Sequence, residues 1–200
     1  MSFTEQSLGV VPLFPLPNVV LLPRAVLPLH IFEERYKDMT ADALAGERRV
    51  AMALLRKGWE KNYYSAPAIE PVVCVGQILS SEKLPDGKYN FLLQGVHRAR
   101  IVKDIPGRSY RRAVVVEISQ TAAMDIDLED QRQKMLALFT EGGPSTLPSA
   151  GHFVRMLRSV LPTTDIADVA AFNYVEDTGL KQSLLAEGNV RRRVCRLVEA

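Results

Sequence analysis

The sequence has 200 residues and carries 25 lysines and arginines against 23 aspartates and glutamates, for a net charge of +2. Hydrophobic residues make up 47% of it and charged residues 24%, a composition that is typical of a folded chain and excludes intrinsic disorder. The length suits one ordinary domain or two small ones, and the balanced charge does not support a polyanion partner recognised by bulk charge.

The two cysteines, Cys74 and Cys195, lie far apart in the sequence. This spacing excludes a disulfide framework and a four-ligand zinc site, and free thiols favour a reducing, cytoplasmic location. The most apolar stretch, residues 10–22, is shorter than a membrane span and contains three prolines. Because the first six residues also lack a basic start, we expect neither a membrane segment nor a secretory signal.

Five prolines fall within the first 30 residues, and each of them fixes φ and removes a backbone donor. This segment is therefore predicted to form short, kinked extended pieces at sheet edges. Apolar residues then recur at helical spacing before Gly46, which predicts a helix over residues 32–46. The residues of this stripe are Phe32, Tyr36, Met39 and Ala43.

A β-hairpin is predicted around residues 84–87, since Leu-Pro-Asp-Gly combines a proline that presets φ with a glycine that tolerates positive φ. Strand-like runs precede and follow this turn, and Gly95 is predicted to mark a bulge. Beyond it, alternation places Arg98 and Arg100 on the opposite face of the strand from His97. Further strands are predicted over residues 50–54 and 113–118, with a long loop over residues 57–71.

Residues 1–120 are therefore predicted to form a mainly antiparallel, barrel-like sheet with one helix. Residues 121–200 carry five helical segments, interrupted by a loop over residues 142–148, which predicts a small bundle. One of these helices is predicted to end at Pro162, the next to be capped by Thr163 or Thr164, and a later one by Thr178. The predicted class is α+β, with a β subdomain over residues 1–120 and a helical subdomain over residues 121–200.

Motifs for covalent chemistry are missing from the sequence. It has no phosphate-binding loop, no dinucleotide fingerprint and no zinc-protease helix, and the Ser145 region lacks the second glycine of a nucleophile elbow. Its three histidines are scattered, and Cys74 lies in an apolar run that favours a structural thiol. We therefore predict no catalytic residue, no metal and no cofactor.

Clustered arginines have two interpretations. The densest basic cluster consists of Arg191, Arg192, Arg193 and Arg196. These arginines either contact an anion or nucleic acid or lie on the solvated face of the last helix, and the solvated face is favoured. Arg98 with Arg100, and Arg111 with Arg112, are similarly ambiguous arginines on strand faces.

Three aromatic residues stand out in the long polar loop, namely Trp59, Tyr63 and Tyr64. Aromatic residues on loops often anchor a partner, because they bury a large area at low entropic cost. The alternative, weighed equally, is that they fold back over one end of the barrel.

The opening segment resembles the N-terminal substrate-binding domain of the ATP-dependent Lon protease, and more closely the stand-alone bacterial proteins of that family. The resemblance rests on VPLFPLPNVVLLP at residues 11–23 and LPLHIFEERY at residues 27–36. It continues in CVGQI at 74–78, LPDGKYN at 84–90, GVHR at 95–98 and KQSLL at 181–185. Two positions depart from the family pattern. Arg24 replaces a common glycine, which argues that the backbone there does not need positive φ or adjusts, and Ala186 replaces a common glutamate.

The resemblance implies a PUA-like β-barrel followed by a helical bundle, and a role in recognising unfolded or tagged polypeptides or protein partners in protein quality control. The ATPase and peptidase modules of Lon lie further along that protein, so we expect neither ATP hydrolysis nor proteolysis. An extended peptide is expected at a barrel edge and in the cleft between barrel and bundle. The residues expected to contact it are Phe14, Arg35, Trp59, Tyr63 and Tyr64.

Two other functions stay open. PUA-like barrels include RNA-binding modules, and Arg98, Arg100, Arg111 and Arg112 would then form the RNA face. A small-ligand-binding protein or an unrecognised enzyme would instead use the cleft between the subdomains.

Overall fold

The computed structural model describes residues 6–62, 65–121, 123–141 and 146–200. The chain divides into two compact units, Met1–Ser119 and Gln120–Ala200. It is a mixed α+β protein, with a six-stranded sheet and six α-helices in the described residues. The strands are β1 (Ser7–Leu16), β2 (Val26–Ile31), β3 (Arg49–Leu54), β4 (Val72–Lys83), β5 (Tyr89–Asp104) and β6 (Arg112–Glu117). The helices are α1 (Glu34–Ala45), α2 (Glu129–Glu141), α3 (Ala150–Leu157), α4 (Thr163–Tyr174), α5 (Thr178–Ala186) and α6 (Val190–Val198).

The strands of the first unit follow the order β2-β5-β4-β3-β1-β6, and β5 pairs with β6 as well. Strands β1, β3, β4, β5 and β6 therefore form a closed ring of pairings, while β2 pairs with the first half of β5. All the pairings are antiparallel except that of β1 with β3. Small and β-branched side chains such as Val11, Ala51 and Val75 pack together in the core of this unit.

The hairpin of β4 and β5 confirms the predicted turn, with Gly87 at a φ of 82°. The predicted bulge is also present, because Gly95 pairs with Gly76 while the next pair joins His97 to Val75. A Cβ atom at position 95 would lie 2.2 Å from the Leu22 carbonyl oxygen, so only glycine fits this close backbone approach.

The proline-rich opening folds differently from the prediction, because β1 is one continuous strand of ten residues. Its two prolines are tolerated because each lies in a stretch that is paired on one side. Pro12 lies in the half that pairs with β6, and Pro15 lies in the half that pairs with β3. Proline has no N–H group, and a stretch that is paired on one side leaves the other side of the strand without any need for a donor.

Arg24 adopts a left-handed backbone with a φ of 67°. The expectation that the backbone at this position does not need positive φ is therefore wrong. The conformation is held by a hydrogen bond from the Arg24 amide to the Gly95 carbonyl oxygen at 2.8 Å. A left-handed residue with a Cβ costs about 1–2 kcal/mol. The surrounding pairing imposes this turn in spite of the side chain.

Helix α1 confirms the predicted helix and ends at Gly46 as expected. Its buried face contains Tyr36, Met39 and Ala43. Phe32 does not belong to this face, because the helix begins two residues later and the Phe32 side chain is 60% exposed.

The second unit contains the remaining five helices, and buried side chains of four of them, α2, α3, α4 and α6, form one apolar cluster. Phe139, Phe153 and Tyr174 pack ring against ring within it, with centroids 4.7–5.1 Å apart. Two predicted boundaries are wrong, because α3 ends at Leu157 and the cap of α5 is the side chain of Asp177 rather than Thr178. Asp177 takes the role because its carboxylate accepts the Leu180 amide. The threonine cap predicted for α4 is also wrong, since Pro162 occupies that position.

Two arginines tie the helical unit together. The Arg132 guanidinium donates to the carbonyl oxygens of Leu157, Ser159 and Leu161, at the C-terminal end of α3 and just after it. Arg193 is 3% exposed, and its Nε lies 3.4 Å from Asp168 Oδ1. The predicted solvated face therefore does not include Arg193, because this arginine is buried against a carboxylate.

Candidate functional site

A groove of about 500 Å³ opens in the first unit, where the start of α1 approaches the segment between β5 and β6. We call it the arginine groove, because four of its lining residues are arginines and one, Asp104, is a carboxylate. Its size is that of a pocket for a small ligand or a few residues of a peptide. The residues that line it are Pro15, Arg35, Tyr36, Leu55, residues 65–67 and residues 104–112.

The first turn of α1 places Arg35 and Tyr36 at this groove. The Arg35 Nε donates to Glu33 Oε2 at 3.0 Å, and the guanidinium lies 4.6 Å from the centre of the Tyr36 ring. The Tyr36 ring packs in turn on Phe14 of β1, with centroids 4.5 Å apart. The position of Arg35 is therefore set by a carboxylate beside it and by an aromatic pair beneath it.

The segment between β5 and β6 forms the opposite wall and is fastened to α1. Tyr110 donates its hydroxyl to Asp42 Oδ2 at 2.6 Å, and Ser109 donates to Asp38 Oδ2 at 2.7 Å. Arg108 lies 3.4 Å from the same Asp42 carboxylate. Burial raises the pKa of Tyr110 to about 12, and the hydrogen bond to Asp42 adds to the rise.

Two further arginines fasten the loops of the groove. Arg111 donates to the Pro67 carbonyl oxygen at 2.8 Å and to the Asp104 carboxylate at 3.2 Å. Arg112 donates to the Pro106 carbonyl oxygen at 3.0 Å. These contacts join separate segments of chain around one opening, so the groove has walls held by charged hydrogen bonds.

A second surface lies along β2, which pairs only with β5 among the described residues. The Gly95 amide donates to the Ala25 carbonyl oxygen, so Ala25 and Gly95 form a hydrogen-bonded pair of this antiparallel ladder. Along such a ladder, hydrogen-bonded pairs alternate with pairs whose backbone groups point outward. The backbone groups of Val26, Pro28 and His30 consequently point away from β5. We call these three residues the β2 edge.

The β2 edge offers two amide donors, of Val26 and His30, and three carbonyl acceptors, because Pro28 has no N–H group. The His30 ring is held across the strand pair by a contact of 2.7 Å between its Nδ1 and Asn90 Oδ1. A shallow cavity of about 400 Å³ runs beside the edge over neighbouring residues of β5 and β4. Its rim includes Leu92, one of the exposed apolar side chains in this region.

The structure brings two of the predicted contact residues to one place. Arg35 lines the arginine groove, and Phe14 supports it through Tyr36, although Phe14 itself is only 6% exposed. Trp59 is half-buried in a short 3-10 helix, Trp59–Asn62, and does not line the groove. Tyr63 and Tyr64 lie outside the described residues. Sequence reasoning missed Arg108 and Tyr110, although their neighbour Gly107 was a turn signal.

The arginine face expected for RNA loses one member, because Arg98 is only 2% exposed. Within the described ranges, no cluster of three metal-ligating side chains is present. No helix in the same ranges combines the length and the apolar character that a bilayer crossing requires.

The fold matches that of Lon protease N-terminal domains. The solved N-terminal domain of a Mycobacterium avium complex Lon protease aligns with a TM-score of 0.73 at 17% identity, over 95% of this chain and 96% of that one. A Lon N-terminal domain protein from Xanthomonas campestris aligns with a TM-score of 0.67 at 21% identity, over 96% and 98% of the two chains.

Residues 10–200 match the family of the ATP-dependent protease La (LON) substrate-binding domain, and the chain belongs to this family. The predicted resemblance is thereby confirmed. Relatives include the Lon proteases of Desulfosudis oleivorans, 23% identical over 191 residues, and Dictyoglomus thermophilum, 24% identical over 194 residues. These alignments cover 96% and 97% of this chain but 23% and 24% of the relatives. The chain thus spans about a quarter of the length of the curated relatives it matches.

Proposed function

We propose that this chain binds extended, unfolded polypeptide segments and serves proteolysis as a recognition domain without catalysis of its own. Membership of a substrate-binding domain family supports a polypeptide partner. Because the family that the chain matches is that of a binding domain, we also propose that recognition needs no cofactor. We place the protein in the cytoplasm, where its two thiols would stay reduced.

The finer fold assignment belongs to the same proposal. We assign the closed ring of strands to a PUA-like β-barrel and the five later helices to a helical bundle, with the boundary between the subdomains near residue 120. The ring of pairings supports the first assignment. The apolar cluster shared by α2, α3, α4 and α6 supports the second.

The observation that carries the function is the β2 edge. An extended polypeptide can add to an unpaired strand through main-chain hydrogen bonds, which do not depend on sequence. Such recognition suits unfolded substrates, whose sequences vary. The exposed Val26 and Leu92 side chains, at 41% and 39%, would cover apolar side chains of the added strand.

The edge is tested by replacing one outward donor. Val26→Pro removes an N–H group that points away from β5, so the pairing of β2 with β5 is kept. We expect binding of a permanently unfolded, fluorescently labelled protein to weaken roughly fivefold, the effect of one lost hydrogen bond. Val26→Ala is the matched control, since it shortens the same side chain but keeps the donor.

Equal affinities of the two Val26 variants would contradict addition at this edge. Circular dichroism and thermal unfolding of each variant establish that the fold is retained.

A second test uses Trp59, the single tryptophan of the chain. We propose that Trp59, Arg35, Tyr63 and Tyr64 contact the bound polypeptide, with Phe14 acting from beneath. Titration with a tryptophan-free unfolded protein should change the Trp59 fluorescence, and an unchanged signal together with full binding by Trp59→Ala would remove Trp59 from the contact set.

A further inference from the structure

We propose that, when no polypeptide is bound, the β2 edge pairs with the β2 edge of a second copy of this chain, and that a polypeptide must displace this copy. The inference rests on the proposed function and adds its regulation. Among the described residues, β2 is the strand whose second side has no partner along its whole length. An open edge of this kind is a template for any extended chain, including another copy of itself.

The backbone groups of the β2 edge are arranged symmetrically about Pro28. Val26 and His30, two residues to either side, each present an amide and a carbonyl group, whereas Pro28 presents a carbonyl group alone. In an antiparallel pair with Pro28 on the two-fold axis, Val26 of each copy exchanges two hydrogen bonds with His30 of the other. This register forms four hydrogen bonds and uses all four outward donors of the two edges.

The missing donor of Pro28 selects this register. A register shifted by two residues places Pro28 opposite Val26 or opposite His30, and only two hydrogen bonds then remain within the strands. Pairing about a two-fold axis is also isologous, because each copy contributes the same residues. The pair therefore closes at two copies and leaves neither β2 edge open for a third.

The side chains support the same pairing. Val26 and Phe32 are 41% and 60% exposed, and the Phe32 ring lies 6.3 Å from the His30 ring on the exposed side of β2. With Val26 opposite His30 of the second copy, Phe32 of that copy is its diagonal neighbour, at a distance that an aromatic ring can reach. Residues 26–32 contain no lysine, arginine, aspartate or glutamate, so the axis brings no like charges together.

Sedimentation velocity tests the self-association. We expect a reversible equilibrium of monomer and dimer between about 1 and 300 µM, the range in which contacts of small area dissociate. Val26→Pro removes one donor from each copy and hence two of the four hydrogen bonds. The Kd of the dimer should therefore rise about 25-fold, at roughly fivefold for each bond. Val26→Ala is the matched control, because it keeps both donors and should weaken the dimer less.

Pro28→Ala should have the opposite effect on the same Kd. It adds a donor on the two-fold axis to each copy, pointing away from β5, so the dimer should become tighter. A dimer that Pro28→Ala weakens, in a variant whose thermal unfolding is unchanged, would contradict the proposed register.

A cross-link tests the position of the axis and the competition with polypeptide. Residues on the axis lie about 5.5 Å apart at Cα, within the range of a disulfide, so mild oxidation of Pro28→Cys should give a covalent dimer. Val102→Cys is the matched control, because Val102 is 54% exposed on β5 and lies outside the β2 edge. The parent chain controls for Cys195. The covalent dimer should lose most of its binding of the labelled unfolded protein and regain it on reduction.

Four results would overturn the inference. They are a parent chain that stays monomeric at about 300 µM, a dimer that Val26→Pro leaves unchanged, equal cross-linking of Pro28→Cys and Val102→Cys, and a covalent dimer that binds the unfolded protein as tightly as its reduced form. If the chain is monomeric but Val26→Pro still weakens binding of the unfolded protein, only the self-association fails. If Val26→Pro changes neither property, the β2 edge fails in both roles, and the proposed function fails with it.

Discussion

The two units of this chain satisfy their buried polar groups in different ways. In Met1–Ser119, the backbone groups are paired along strands that are distant in sequence, and β1 connects to both β3 and β6. In Gln120–Ala200, the helices are short, at 8 to 13 residues, a length at which isolated helices are marginal. There, polar side chains such as those of Arg132 and Arg193 connect neighbouring elements. The comparison teaches that strand pairing holds the elements of the first unit together, whereas contacts of charged side chains help to hold the helices of the second.

The largest effect is expected from Asp168→Ala in the helical unit. The substitution leaves Arg193 buried without its carboxylate, and loss of one partner of a buried ion pair costs about 3–5 kcal/mol. The free energy of unfolding, measured by urea denaturation with circular dichroism, reports the change. Asp130→Ala is the control, because this exposed aspartate on α2 should change stability by less than about 0.5 kcal/mol. Similar losses in both variants would show that the pair does not hold the helices.

Gly95→Ala tests the strand unit, where the sensitive feature is the close approach of the Gly95 and Leu22 backbones rather than a buried charge. The new Cβ would meet the Leu22 carbonyl oxygen at 2.2 Å and Cys74 Sγ at 3.0 Å. We expect a loss of about 3 kcal/mol in the same urea experiment. In Gly46→Ala, the Cβ lies at an ordinary 3.5 Å from the Asp42 carbonyl oxygen, so the loss should stay below about 1 kcal/mol. A tolerated alanine at position 95 would contradict the close packing of these strands.

Of these substitutions, Tyr110→Phe is expected to change the free energy of unfolding least at neutral pH. At alkaline pH it distinguishes the parent chain from the variant. Burial raises the pKa of Tyr110 from 10.0 to about 12, so the folded state keeps a proton that the unfolded state loses. The stabilisation is complete below pH 10 and is lost as the pH rises towards 12. Unfolding free energies measured across this window should fall more steeply for the parent chain than for Tyr110→Phe. Parallel slopes would show that this hydroxyl is not buried in the fold.

Much of the local structure could be predicted because it depends on nearby residues. The turn that contains Gly87 and the helix that ends before Gly46 follow from backbone preferences that act over a few positions. The candidate site was less accessible to prediction. Arg35 was recognised through its family motif, whereas Arg108 and Tyr110 became functional candidates only when their segment was seen fastened to α1.

Several of the errors share one cause, which is that contacts with residues distant in sequence override the local preference. β1 continues through Pro12 and Pro15 because each proline happens to have one unpaired side. Arg98 and Arg193 carry full charges and resemble surface residues in the sequence, yet both are buried. Arg24 takes a left-handed backbone because the Gly95 carbonyl oxygen accepts its amide from across the sheet.

The sequence by itself determined the α+β class, the family and most element positions, since periodicity, turn residues and a long specific motif are written in consecutive residues. Only the tertiary structure decided which strand is left with an unpaired edge and which arginines surround a groove. These features depend on pairing between segments tens of residues apart, and side-chain burial depends on what packs over it rather than on the residue type.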